Sequence, residues 1–287
     1  MQLKLVLAAG AAAVLSAGSA LAEPSLAVTR AAARVTVIPE ARSDVSVTVV
    51  KTNPRLPLHI RQEGDRVVVD GGLGARGFSL FDWSSGANCH GGSQDRWVTV
   101  SGVGRVNWQD LPQIVVRTPL DAHIGADGAV WGVVGRGHAL DLSDSGCGDW
   151  TVANQAGDLK VHVAGSGDVY AGSSQAADVS VSGSGDVYLT RVNSGLTVSV
   201  AGSGDVTATS VDGPLHTKIA GSGDVRVHAG NVGEMRASVA GSGDVRFGGV
   251  ARTLDAHIAG SGDVYAAKVT GEVTKHVAGS GEVSVGQ

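Results

Sequence analysis

A five-residue phrase, Gly-Ser-Gly-Asp-Val, returns six times in this chain, at 165–169, 183–187, 202–206, 221–225, 241–245 and 260–264. A Glu version stands at 279–283, and Gly146-Cys147-Gly148-Asp149-Trp150 is an altered earlier copy. The acidic residues at 149, 168, 186, 205, 224, 244, 263 and 282 are thus 18 to 20 residues apart. A further step back reaches Asp127-Gly128-Ala129-Val130, a degraded copy with Ala in the acidic slot. A unit this short cannot bury an apolar face alone, so it must stack on its neighbours.

Each unit carries the same apolar columns. Nine residues before the acid stand Leu159, Ala177, Leu196, Leu215, Met235, Leu254 and Val273, and five before it stand Val163, Val181, Val200, Ile219, Val239, Ile258 and Val277. Val follows the acid in all seven units from 169 to 283. Between the columns, small and β-branched residues alternate with polar ones, which is the period of a strand. The expected fold is all-β: a single-stranded, right-handed parallel β-helix with coils of about 19 residues, Gly-Ser-Gly supplying one bend. Nine coils at strand spacing would give a rod roughly 40 Å long.

Residues 23–115 lack this punctuation but stay β in pattern, as 34–38 and 45–49 alternate and Asn53-Pro54 marks a turn. They form an irregular N-terminal β region that either starts the solenoid or caps it, with a Gly-rich exposed loop at 71–95. The repeat solenoid then occupies 116–287.

Residues 1–22 read as a secretory signal peptide: Lys4, an apolar stretch to Leu15, then Ala20-Leu21-Ala22 as a small-x-small cleavage site. A membrane anchor needs about 20 apolar residues, and this run is shorter. Cleavage after Ala22 leaves 265 residues and shifts the formal charge from −5 to −6. No Cys at the cleavage site offers a lipid acceptor, and no later segment spans a membrane, so the expected location is periplasmic or secreted. The acidic balance disfavours nucleic acid. Export also favours a disulfide between Cys89 and Cys147, the only two cysteines, over free thiols or a metal pair with His90.

The signal peptide, the alternating opening (35–49, 58–60, 67–70) and the Gly-Ser-Gly-Asp-Val array together resemble the auto-transporter adhesin head (GIN) domain family of bacterial exported proteins. The resemblance implies a right-handed parallel β-helix and an adhesin-like role, and brings no catalytic residues with it.

Three columns are candidate sites. The stacked acids Asp168, Asp186, Asp205, Asp224, Asp244, Asp263 and Glu282 would repel at strand spacing unless screened or bridged. They either ligate a ladder of cations, Ca²⁺ best suiting oxygen ligands, or accept hydrogen bonds from turn amides. Two residues after the acid, Trp131, Tyr170, Tyr188 and Tyr265 turn outward, where aromatics either contact glycans or simply pack along the sheet. Six before it, His123, His162, His257 and His276 alternate with Ser143, Ser180, Ser199, Ser238 and Lys218, a metal or pH-responsive column or an ordinary solvated face.

No catalytic constellation is apparent; a homogeneous repeat offers no unique cluster of unlike groups. Only the 83–95 loop, with Asp82, His90 and Asp95, could hide one. The expected function is a non-catalytic adhesin-like module binding an envelope or extracellular polysaccharide or protein, with no cofactor. The alternatives are a carbohydrate-active enzyme on a β-helix and a structural periplasmic rod. The final coil lacks a polar cap, so homo-oligomerisation through the β-helix ends is a further expectation.

Overall fold

A computed structural model describes residues 23–74, 87–90 and 96–286. The proposed signal peptide, Asp82, Trp83, Asp95 and most of the Gly-rich loop lie outside them.

The repeats form a parallel β-solenoid. Identical columns pair in register from coil to coil: Leu196 with Leu215, Val200 with Ile219, Val206 with Val225. Successive coils continue this way from Asp121–Val134 to the last strand, Val283–Val285. Inward residues are almost wholly buried and form one continuous core from Leu26 to Val283. In one inward column, three residues after the acid, Ala171, Leu189, Ala208, Val227, Phe247 and Ala266 follow one another. Large and small side chains there neighbour each other along the rod and interdigitate.

The Gly-Ser-Gly bend has a steric cause. Gly202 has φ +156°, and a Cβ on it would lie 2.3 Å from the Gly183 carbonyl oxygen one coil below. A Cβ on Gly204 would lie 2.2 Å from the Gly185 oxygen and 2.9 Å from a Val181 methyl. Coils stack so closely at this corner that only glycine fits at both positions. The Ser between them faces solvent.

The N-terminal region both begins and caps the stack. Strand β1 (Ser25–Pro39) lies parallel to β4 (Arg66–Asp70) and β8 (Gln113–Thr118) on one side, and to β9 (Asp121–Val134) on the other. It is therefore a solenoid layer. Strands β2 (Ser46–Lys51) and β3 (His59–Glu63) pair antiparallel with β8 and β4 and close that end. A β-bulge in β1 between Val28 and Ala31 puts Arg30 at φ +47°, and its guanidinium pairs with the nearly buried Asp70 carboxylate.

Between β4 and β8 the chain leaves the stack and forms a separate antiparallel sheet of β5 (Ala87–His90), β6 (Trp97–Val100) and β7 (Gly104–Asn107). The region read as an exposed loop to residue 95 thus contains a strand. This sheet covers outward-facing residues of β1 and β9 and builds a second core with Ala32, Ala129 and Trp131. Cys89 on β5 is bonded to Cys147, which replaces Ser in the bend Gly146-Cys147-Gly148. The outward middle position of the bend is what lets a cysteine there reach the covering sheet.

Candidate functional site: the outward columns

The acidic column is a hydrogen-bonded ladder. Asp168 Oδ1 accepts from the Asp186 backbone N–H at 2.9 Å, and Asp186 Oδ1 from Asp205 N–H at 2.8 Å. The pattern continues through Asp205, Asp224, Asp244 and Asp263, the last accepting from Glu282 N–H at 2.8 Å. Each aspartate thereby satisfies an amide that the bend leaves out of the sheet ladder.

The second carboxylate oxygen meets the residue two positions on. Tyr170 and Tyr188 donate their phenol O–H to Asp168 and Asp186 Oδ2 at 3.3 and 3.2 Å. Arg226 bridges Asp224 and Asp205, and Arg246 donates to Asp244 at 2.9 Å. Among the described residues no group of three or more His, Cys, Asp or Glu is arranged to hold a metal ion.

Tyr170 and Tyr188 stand outward and more than a third exposed, as does Tyr265. The rings of the first two stack on each other, centroids 4.9 Å apart and 3° from parallel. Their shared faces are closed, leaving edges and outer faces to solvent. Partial burial pushes the Tyr170 phenol up to about 12, and the neighbouring Asp168 charge adds to it.

Trp131 does not belong to this column. Trp150 pairs with Gly132 and Thr151 with Val133, so Trp131 stands in register with Asp149 and its true column mate is Val133. Trp131 is 7% exposed, beneath the β5–β7 sheet, which removes it from any exposed binding face. The same two-residue offset moves His123, which pairs with Asp141 rather than with Ser143. The coil is shorter here because Gly132 leaves room for the inward Trp150 indole, which a Cβ would meet at 2.0 Å.

Sequence reasoning missed a buried carboxylate. Asp144 occupies the inward column otherwise filled by Val163, Val181 and Val200, is 1% exposed, and has no hydrogen-bond partner on either oxygen. Burial pushes its pKa up to about 7 against the Gly146 N–H, and the charges of Asp149 and Asp127 raise it further. The signal was present: an acid stands five before Asp149, where every later unit has Val or Ile.

His257 and His276 are adjacent and stacked at 4.8 Å on the opposite outward face. His257 also contacts Asp255 at 3.0 Å.

These features define a repeat protein whose outward columns are regular and whose polar groups are largely partnered within the coil stack. Residues 132–210 and 196–287 match the family described as "Putative auto-transporter adhesin, head GIN domain", and the chain belongs to that family. No curated protein matches it. Among solved structures it is similar to a "Putative lipid binding protein" from Parabacteroides distasonis, at 15% identity and TM-score 0.46 over 92% of each chain. Among the described residues no helix is long and apolar enough to cross a membrane.

Proposed function

We propose that the chain is an exported, non-catalytic binding rod whose partner lies in the cell envelope or outside it. The carrying observation is uniformity: seven successive coils present the same acid, and most of its oxygens are already bonded within the rod. An enzyme needs unlike groups converging on one reacting atom. A binding surface instead gains from repetition, because weak contacts add along a polymeric partner.

The tyrosine face is the proposed carbohydrate contact. Tyr170, Tyr188 and Tyr265 offer ring edges and outer faces, and the neighbouring carboxylates offer acceptors for sugar hydroxyls. The acidic column serves this face as a scaffold, without bound cations. Family membership supports the adhesin-like part of this reading.

Co-sedimentation of the purified chain with insoluble polysaccharides and envelope fractions tests it, with released reducing ends measured alongside. Binding without release, lost in the Tyr170/Tyr188/Tyr265→Ala variant, is expected. Sugar release would replace the proposal with an enzymatic one, and binding that survives the triple variant would move the contact to another face.

A further inference from the structure

We infer a second, independent site on the opposite outward face, specific for an acidic polysaccharide and centred on Lys218. The outward columns eight and six residues before the acid run side by side there. One holds Thr197, His216, Arg236, Asp255 and Thr274, and the other Ser199, Lys218, Ser238, His257 and His276. Together they line a shallow groove of about 360 Å³ spanning four coils, from 197–199 to 255–257.

Charges in the groove are unequally committed. Arg236 is held by Glu234 at 2.7 Å and His257 by Asp255 at 3.0 Å, while Glu234 also faces His216 at 3.9 Å. Lys218 is exposed and has no ion-pair or hydrogen-bond partner among the described residues. It stands in register between Ser199 and Ser238, so one free ammonium is flanked at strand spacing by two hydroxyls. Lysine supplies three donors and a serine hydroxyl both donates and accepts, which suits a carboxylate or sulfate borne on a hydroxyl-rich chain.

The shape favours a linear polymer. The outward residues next along each strand are Ala201, Ala220, Ala240 and Ala259, all exposed, so the groove has a low rim on that side. A chain lying along the rod would meet equivalent positions every ~4.8 Å. Nothing long and apolar projects from this face to enter a bilayer, and the net charge of −5 opposes adsorption to an anionic lipid surface.

Binding isotherms for polygalacturonate, dextran sulfate and neutral dextran test the inference at fixed ionic strength. Lys218→Glu is compared with Lys268→Glu, which makes the same charge change on another exposed part of the coil. Binding of polygalacturonate, dextran sulfate or both, but not of dextran, is expected. Affinity should fall about tenfold in Lys218→Glu and less than about twofold in Lys268→Glu. The two acidic probes separate carboxylate from sulfate recognition. Equal losses in both variants, no loss in Lys218→Glu, no binding of either acidic probe, or equal binding of neutral dextran would each overturn it. The Tyr170/Tyr188/Tyr265→Ala variant should bind the acidic probes unchanged, so failure of the tyrosine face and failure of this site are read separately.

Discussion

Asp186 Oδ1 lies 2.8 Å from the backbone nitrogen of Asp205, one coil further along the rod, and accepts its hydrogen bond. Each aspartate thus serves its neighbour's backbone, which explains how like charges can stack at strand spacing. The repulsion is offset by amide dipoles on one oxygen and by Tyr or Arg donors on the other.

Asp186→Asn keeps an acceptor at this position and should change the melting temperature little. Asp186→Ala orphans the Asp205 N–H and the Tyr188 phenol and should cost about 1–3 kcal/mol in denaturant unfolding. Because the inner oxygens are occupied, EDTA and added Ca²⁺ should both leave the melting temperature unchanged; a rise with Ca²⁺ would restore the cation-ladder reading.

Gly204→Ala drives a methyl into the Gly185 carbonyl, where backbone on both sides prevents relief. Destabilisation of roughly 3 kcal/mol or more is expected, against about 0.5 kcal/mol or less for the exposed Ser203→Ala. Chemical denaturation of the two variants side by side checks the contrast.

Asp144 should make stability fall as pH rises. Its folded-state pKa of about 7 exceeds the ordinary 3.8, so the folded protein holds a proton that the unfolded chain has released between those values. Integrated over that window the loss is ~4 kcal/mol, complete above pH 7. Asp144→Val, which restores the column residue, should remove this slope and be the more stable protein at pH 7.5. Melting curves at pH 4.5 and 7.5 for both proteins give the difference.

Reducing the Cys89–Cys147 bond opens a loop of 58 residues and should cost up to ~4 kcal/mol. The effect should concentrate in the β5–β7 sheet, which it ties to the bend. Limited proteolysis of Cys147→Ser is expected to cut between residues 71 and 112 while the far-ultraviolet spectrum of the solenoid persists.

The solenoid was legible in the sequence because the Gly-Ser-Gly-Asp corner is both a conformational requirement and a close contact, and it recurs in each coil. The acid's role as an amide acceptor was among the alternatives for the same reason. The placement of Trp131 was not legible: counting back by 20 preserved an Asp-Gly likeness, whereas the structure takes 18 to seat Trp150 against Gly132. The β5–β7 sheet was read as part loop because it lies outside the repeat and pairs only with itself. Lys218 was visible as a residue, but its freedom from partners depends on where Glu234 and Asp255 turn.

Register shifts between coils fall at 174–176 and 247–250, on the side away from the glycine bend, while the acid-to-valine step keeps its pairing. Differences in coil length are therefore absorbed at one seam, and the rest of the cross-section is interchangeable. The rod behaves like a stack of identical plates, from which one can be withdrawn. Excising residues 206–224 joins Asp205 to Val225 and should give a folded chain shorter by one strand spacing, ~4.8 Å, with every remaining aspartate still seated beneath an amide.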